Sequence, residues 1–168
     1  EAQYDSSGGS VSLSADGSIV AIGATSNDGK SYFNTNRSGH VRIYQNNNGS
    51  WTQIGNDIDG EAQYDSSGGS VSLSADGSVV AVGANAHGTN NEGLIRVYKN
   101  INNNWTKIGN DINGDANKDF FGISLSLSSN GNILAVGIPE GCIDENILQA
   151  GKSGRVEVYE NVSNDYSS

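Results

Sequence analysis

The stretch EAQYDSSGGSVSLSADGS runs from Glu1 to Ser18 and returns unchanged from Glu61 to Ser78. A looser third copy, FFGISLSLSSNGN, occupies Phe120 to Asn132. Aligned on Ser10, Ser70 and Ser124, the copies stand 60 and 54 residues apart. Each is followed by an apolar run: SIVAIGA from Ser18, SVVAVGA from Ser78, NILAVGI from Asn132. A loop of variable length leads to GHVRIY from Gly39, GLIRVY from Gly93 and GRVEVY from Gly154. An Asn-rich turn then leads to WTQIGNDIDG from Trp51 and WTKIGNDING from Trp105. Self-similarity at this period marks an architecture of stacked supersecondary units.

Each copy holds four strand candidates. The first alternates, with Val11 and Leu13 on one face and Ser10, Ser12 and Ser14 on the other, the period of a half-buried strand. The second is almost wholly apolar, as in a strand covered on both faces. The third alternates through Val41 and Ile43, and the fourth begins at the Trp. Ala-Asp-Gly at 15–17 and 75–77, Ser-Asn-Gly at 129–131 and Asn-Asn-Asn-Gly at 46–49 separate them. Such residues supply the positive φ angles of tight hairpins. Four antiparallel strands per unit predict an all-β fold of β-propeller blades over 1–60, 61–114 and 115–168. The last blade is incomplete, because Tyr166-Ser167 falls in register with Trp105-Thr106. A closed propeller needs roughly four to eight blades. The three are therefore expected to belong to a larger ring or assembly, completed by further blades of a longer chain or by other copies.

Composition agrees. The 168 residues include 23 Gly and 1 Pro, and only 17% are charged, yet the net charge is −10. Such a surface is built mostly from Ser, Asn, Thr and Gly, as in a turn-rich β protein. The nine Lys and Arg are scattered, which argues against a nucleic-acid partner. No apolar run approaches the roughly 20 residues that cross a bilayer as a helix, so direct membrane insertion is not expected. Cys142 is the single cysteine and forms no internal disulfide.

Phe121-Gly122-Ile123-Ser124 followed by LSLSSNGNILAVGIP resembles an FG-GAP repeat. The other copies give Gly-Gly-Ser-Val followed by SLSADGSIVAIGA and SLSADGSVVAVGA, with Ser7 and Ser67 where the family has Phe. The resemblance implies an integrin-α-like propeller, common in secreted and surface proteins. Calcium-binding blade hairpins of that family are not carried over, since the hairpin from Ala24 to Gly39 holds only Asn27-Asp28-Gly29.

Two strings place oxygen side chains at every second position: Asp57, Asp59, Glu61, Gln63 and Asp65, then Asp111, Asn113, Asp115, Asn117 and Asp119. Calcium takes six to eight hard oxygen ligands, and these strings can supply several. The other reading is a connecting loop whose Asx side chains bond backbone. Sequons at Asn36, Asn48, Asn104 and Asn161 fall in loops or at strand ends, where glycans are tolerated. His40 and His87 lack repeat equivalents and second ligands at zinc spacing, and read as surface or loop histidines. Recurrent Trp51, Trp105, Tyr44, Tyr98 and Tyr159 read as inter-blade packing before sugar stacking. The expectation is a non-enzymatic structural or interaction module of an extracellular or surface glycoprotein. It would self-assemble through its repeated blades, with calcium as the candidate ion and a protein or glycan as ligand. A carbohydrate-binding propeller is the alternative. Specific activity is expected in the loops 25–38, 85–92 and 139–153, where the copies differ.

Overall fold

The structure, a computed structural model, describes residues 5–27, 37–115, 119–139 and 154–167. All its regular structure is β, arranged as three antiparallel sheets that follow the repeats. In the first, β1 (Ser7–Leu13), β2 (Ile19–Ala24) and β3 (His40–Asn47) are followed by an outer edge in two pieces, β4 (Ser50–Gln53) and β5 (Ile58–Asp59), both paired to β3. The second is β6 (Ser70–Leu73), β7 (Val79–Ala84), β8 (Leu94–Ile101) and β9 (Asn104–Asn113). The third is β10 (Ser124–Leu127), β11 (Ile133–Ile138), β12 (Arg155–Val162) and β13 (Asp165–Ser167). Asn46 pairs Trp51, Asn100 pairs Trp105 and Asn161 pairs Tyr166, so the alignment of Tyr166 with the tryptophans holds in space.

The tight hairpins have a common wiring. Ser14 Oγ donates to Asp16 Oδ1 at 2.7 Å and accepts the Ile19 amide at 2.9 Å, while the Ser18 amide donates to the same carboxylate. Ser74, Asp76 and Ser78 repeat the arrangement, and Ser128, Asn130 and Asn132 repeat it with an amide oxygen. These bonds, led by the Ser18 amide, hold Asp16 down at about 2. The recurring Ser-x-Asp-Gly-Ser motif is therefore a turn clamp.

The sheets stack through their innermost strands: β1 lies against β6, and β6 against β10. Two cores lie between them. Ala21, Val41, Ile43 and Ile58 of the first blade meet Val71, Leu73, Val80 and Val82 of the second. Val79, Ala81, Ile95 and Val97 of the second meet Phe121, Leu134, Val136 and Tyr159 of the third. Phe121 and Tyr159 meet edge to face, with centroids 6.1 Å apart. Every residue of β7 is buried, whereas β2 and β11 have half-buried positions. Full coverage of the second strand, expected in each copy, is reached only in the middle blade, which has a neighbour on each side. Trp105 spans a junction by donating from Nε1 to the Ile54 carbonyl at 2.9 Å.

Register divides each blade into two rims. The short turns 14–18, 74–78 and 128–132 lie at one rim, together with the turns leaving β3, β8 and β12. The loop after β7 and the described ends of the segments after β2 and β11 lie at the opposite rim, with the connector from β5 to β6. The copy-specific segment 85–92 is therefore at the second rim.

Candidate functional site

A polar groove of about 760 Å³ opens on the first blade, lined by Asn27, Arg42, Gln53, Gly55, Asn56, Asp57 and Asp59. Arg42, on β3, grips Asp57 with Nε at 3.0 Å from both carboxylate oxygens and Nη2 at 2.8 Å from Oδ2. Gln53 Nε2 donates to Asp57 Oδ1 at 2.7 Å. The Arg42 bonds hold the Asp57 carboxyl below its ordinary range, against the opposing effect of burial.

Asp59 of the groove has His40 as its cross-strand partner in the β3–β5 ladder. His40 opens β3 and is 1% exposed. It is a buried histidine, not the surface residue expected. Ligand atoms of His40, Asp57 and Asp59 lie within 4.8 Å of one another, the one such His/Cys/Asp/Glu group of three among the described residues. This set could hold a metal ion. The same places in the second blade are Leu94, Asp111 and Asn113, which offer no imidazole and one carboxylate.

The other acids of the two strings go separate ways. Asp111 is gripped by Arg96 at 3.0 and 2.8 Å and reached by Lys107 Nζ at 2.6 Å, and the Arg96 bond pushes its carboxyl down to about 2. Glu61 accepts from Arg96 Nη2 at 2.8 Å. Asp119 accepts from Arg155 at 3.3 Å. Asn113 and Asp115 are exposed, and Asn117 lies outside the described residues. In the third blade Glu157 takes the place of the arginine, and accepts from Tyr159 OH at 2.6 Å and Arg155 Nε at 2.7 Å. Asp57, Asp111 and Glu157 thus each pair with an arginine of their own blade.

A second constellation lies at the long-loop rim. Asp5, Asp65 and Asp119, at equivalent positions before β1, β6 and β10, are all buried. Asp5 accepts from Asn27 Nδ2 at 3.0 Å. Asp65 accepts the Ala62 amide at 3.0 Å and lies 2.8 Å from His87 Nδ1. Asn27 and His87 are equivalent: their amides bond Ala24 O and Ala84 O, and their carbonyls accept from Gly39 and Gly93. The buried aspartate is therefore a loop clamp in both blades, and only the second blade answers it with an imidazole. A carboxylate only accepts, so Nδ1 donates and Nε2 is left as the basic nitrogen. The His87 side chain is 30% exposed and Asp65 3%.

Of the sequons, Asn48 and Asn104 lie exposed at outer turns, Asn161 is half-buried on β12, and Asn36 lies outside the described residues, as does Cys142. Both histidine sites escaped the sequence because pairing of β3 with β5 assembles one and the return of the loop after β7 assembles the other. The variability of the loop at 85–92 was the available signal for His87.

No family model matches the chain, and no curated protein matches it. Its fold is shared by two solved structures, each described as a "putative 6-phosphogluconolactonase". The one from Bacteroides uniformis has a TM-score of 0.59 and 15% identity over 94% of this chain and 37% of that one. The one from Bacteroides fragilis has a TM-score of 0.57 and 15% identity over 94% and 36%. The chain thus spans little more than a third of either neighbour, and the likeness is one of fold. These findings correct the expectations drawn from the FG-GAP resemblance. No family model supports it, and the solved structures that share the fold carry a lactonase description instead. The non-enzymatic structural module of an extracellular glycoprotein, its carbohydrate-binding alternative and the exclusion of enzymatic activity fall with it.

Proposed function

We propose that this chain supplies three blades of a propeller hydrolase that opens sugar lactones, with chemistry at the long-loop rim. The observation that carries the reading is the 2.8 Å contact between His87 Nδ1 and buried Asp65. Lactonase-named neighbours of the same fold supply the substrate class. With Nδ1–H committed to Asp65, Nε2 takes a proton from water as the water oxygen attacks the lactone carbonyl. The ring C–O bond then breaks, the departing oxygen takes the proton from Nε2, and an open hydroxy acid is released. Asp65 fixes the ring and stabilises the imidazolium formed in between.

The test follows acid release from glucono-δ-lactone and its 6-phosphate over the spontaneous rate. His87→Asn is the informative variant, because Asn27 shows that asparagine makes the equivalent clamp on Asp5 in the first blade. General-base loss is worth on the order of 10²–10⁴-fold, and H87N is expected to lose that much. Hydrolysis no faster than in buffer, or an H87N variant as active as the parent, rejects the proposal.

The cation proposed for His40, Asp57 and Asp59 is of the zinc class. An imidazole with two carboxylates suits such ions better than calcium, which prefers six to eight oxygens. Titration calorimetry with zinc and with calcium separates the two, and His40→Leu, the residue of the second blade, is expected to abolish zinc binding.

A further inference from the structure

Each junction between blades is made by the same set of groups. At the first, Ser10 Oγ donates to the Gly68 carbonyl at 2.7 Å, and the Leu73 amide donates to Ser12 Oγ at 2.9 Å. At the second, Ser70 Oγ donates to the Gly122 carbonyl at 2.5 Å, and the Leu127 amide donates to Ser72 Oγ at 2.9 Å. Gly39 forms a parallel bridge with Ser67, and Gly93 forms the same bridge with Phe121. The Ala15 amide bonds Ala75 O, and the Ala75 amide bonds Ser129 O. Gly23 and Gly83 leave room for the facing Gly68 and Gly122 carbonyls, where a Cβ would collide.

The outer face of the third blade has the serine pair and the glycine of this junction with nothing from a following blade on them among the described residues. Ser124 and Ser126 are exposed there. The three atoms nearest a Cβ on Gly137, the counterpart of Gly23 and Gly83, all belong to Ser124 of its own blade. A groove of about 350 Å³ lies over Gly137, lined also by Ile123, Ser124, Gly154 and Val156. Val156 and Val158 are 69% and 56% exposed, whereas Ile95 and Val97 of the second blade are 0% and 1%. The outer face of the first blade has the matching set. Val11 and Leu13 are 64% and 60% exposed, against 8% and 7% for Val71 and Leu73. Gly8 has φ 87°, as Gly68 has 84° and Gly122 has 81°.

We propose that a second copy of this chain docks its β1 edge onto the open β10–β12 face of the first, reproducing the internal junction in trans. Gly8 seats over Gly137 and accepts from Ser124, the Leu13 amide donates to Ser126, and Val11 and Leu13 cover Val156 and Val158. The contact is head to tail, and it continues an interface the chain already makes twice. Two copies joined at both ends give six blades, within the range of closed propellers. This docking does not depend on the proposed lactone chemistry.

Light scattering after size exclusion tests it with the 168-residue chain and two single variants, Leu13→Glu and Val158→Glu. Both positions are exposed within one chain, so folding is expected to survive and is verified by circular dichroism. The parent is expected at twice its 17.5 kDa mass, or at a higher multiple if the contact propagates. Each variant alone is expected as monomer. A one-to-one mixture of the two is expected to recover a dimer, because one intact junction remains between unlike copies. A monomeric parent overturns the proposal. So does a variant that stays dimeric, since that would indicate a like-to-like contact, and so does a mixture that stays monomeric, since a head-to-tail contact leaves it one intact junction.

Discussion

Ser12 Oγ accepts the Leu73 amide hydrogen at 2.9 Å, so one blade's side chain satisfies the next blade's backbone. Ser72 does the same for Leu127 at 2.9 Å. Alternation along the inner strand separates these roles, with serine facing forward and valine or leucine facing back. Loss of the hydroxyl leaves an amide at a covered junction without its acceptor, a cost of about 1–3 kcal/mol. Ser72→Ala is therefore expected to lower unfolding stability by about 2 kcal/mol. Urea denaturation reads it directly, and an unchanged midpoint would show that the junction does not depend on this bond.

Acid should weaken the fold through Asp111. Arg96 and Lys107 hold its carboxyl at about 2, below an ordinary value of 3.8. A depressed carboxylate contributes its stability in full above its unfolded pKa and loses it as pH falls toward the folded value. The window is thus from about 4 down to about 2, and the partly solvated pair is worth about 1–2 kcal/mol. Asp111→Asn should be less stable at pH 7 and should lose less on acidification than the parent. Parallel pH profiles for the two proteins would assign the acid sensitivity elsewhere.

The strands and their order were readable because apolar alternation and Asp-Gly turns repeat with the copies, and backbone pairing follows them. The oxygen strings follow the same pleat over part of their length. Asp111, Ile112 and Asn113 are strand residues, and Ile112 is buried between its half-buried and exposed neighbours. Every second side chain shares a face in any strand, which accounts for the spacing of Asp111 and Asn113. Arg96 on β8 meets Asp111 on β9, and Arg42 on β3 meets Asp57 just before β5, contacts made by chain reversal rather than within one segment. His40 meets Asp59 only because β5 folds back onto β3. His87 meets Asp65 only because the loop after β7 returns to the segment before β6.

Glycines of the second strand should be far less replaceable than turn glycines. A Cβ at Gly83 would strike the Gly122 carbonyl and Ser70 Oγ, one from the next blade and one from its own. Moving a whole blade back costs about 3 kcal/mol. Gly49 has φ 94°, and nothing lies within 4 Å of where its Cβ would stand. Alanine there meets only backbone strain of about 1–2 kcal/mol. Thermal melts of Gly83→Ala and Gly49→Ala should rank in that order. Equal losses would mean that close blade approach is not what selects glycine.

The two tryptophans occupy equivalent positions in opposite circumstances. Trp105 donates to Ile54 O across the first junction and packs against its core, while Trp51 is 46% exposed on the outer face of the first blade. Phenylalanine keeps most of the ring but removes the indole donor, so Trp105→Phe leaves the Ile54 carbonyl without it. That should cost about 1–2 kcal/mol, whereas Trp51→Phe at an exposed site should stay within about 0.5 kcal/mol. The comparison is made in the Leu13→Glu background, which removes the docking proposed for that face. Urea midpoints should fall for Trp105→Phe and hold for Trp51→Phe. A comparable fall for both would mean that the ring itself, and not the bond from Nε1 to the neighbouring blade, sets the contribution of this position.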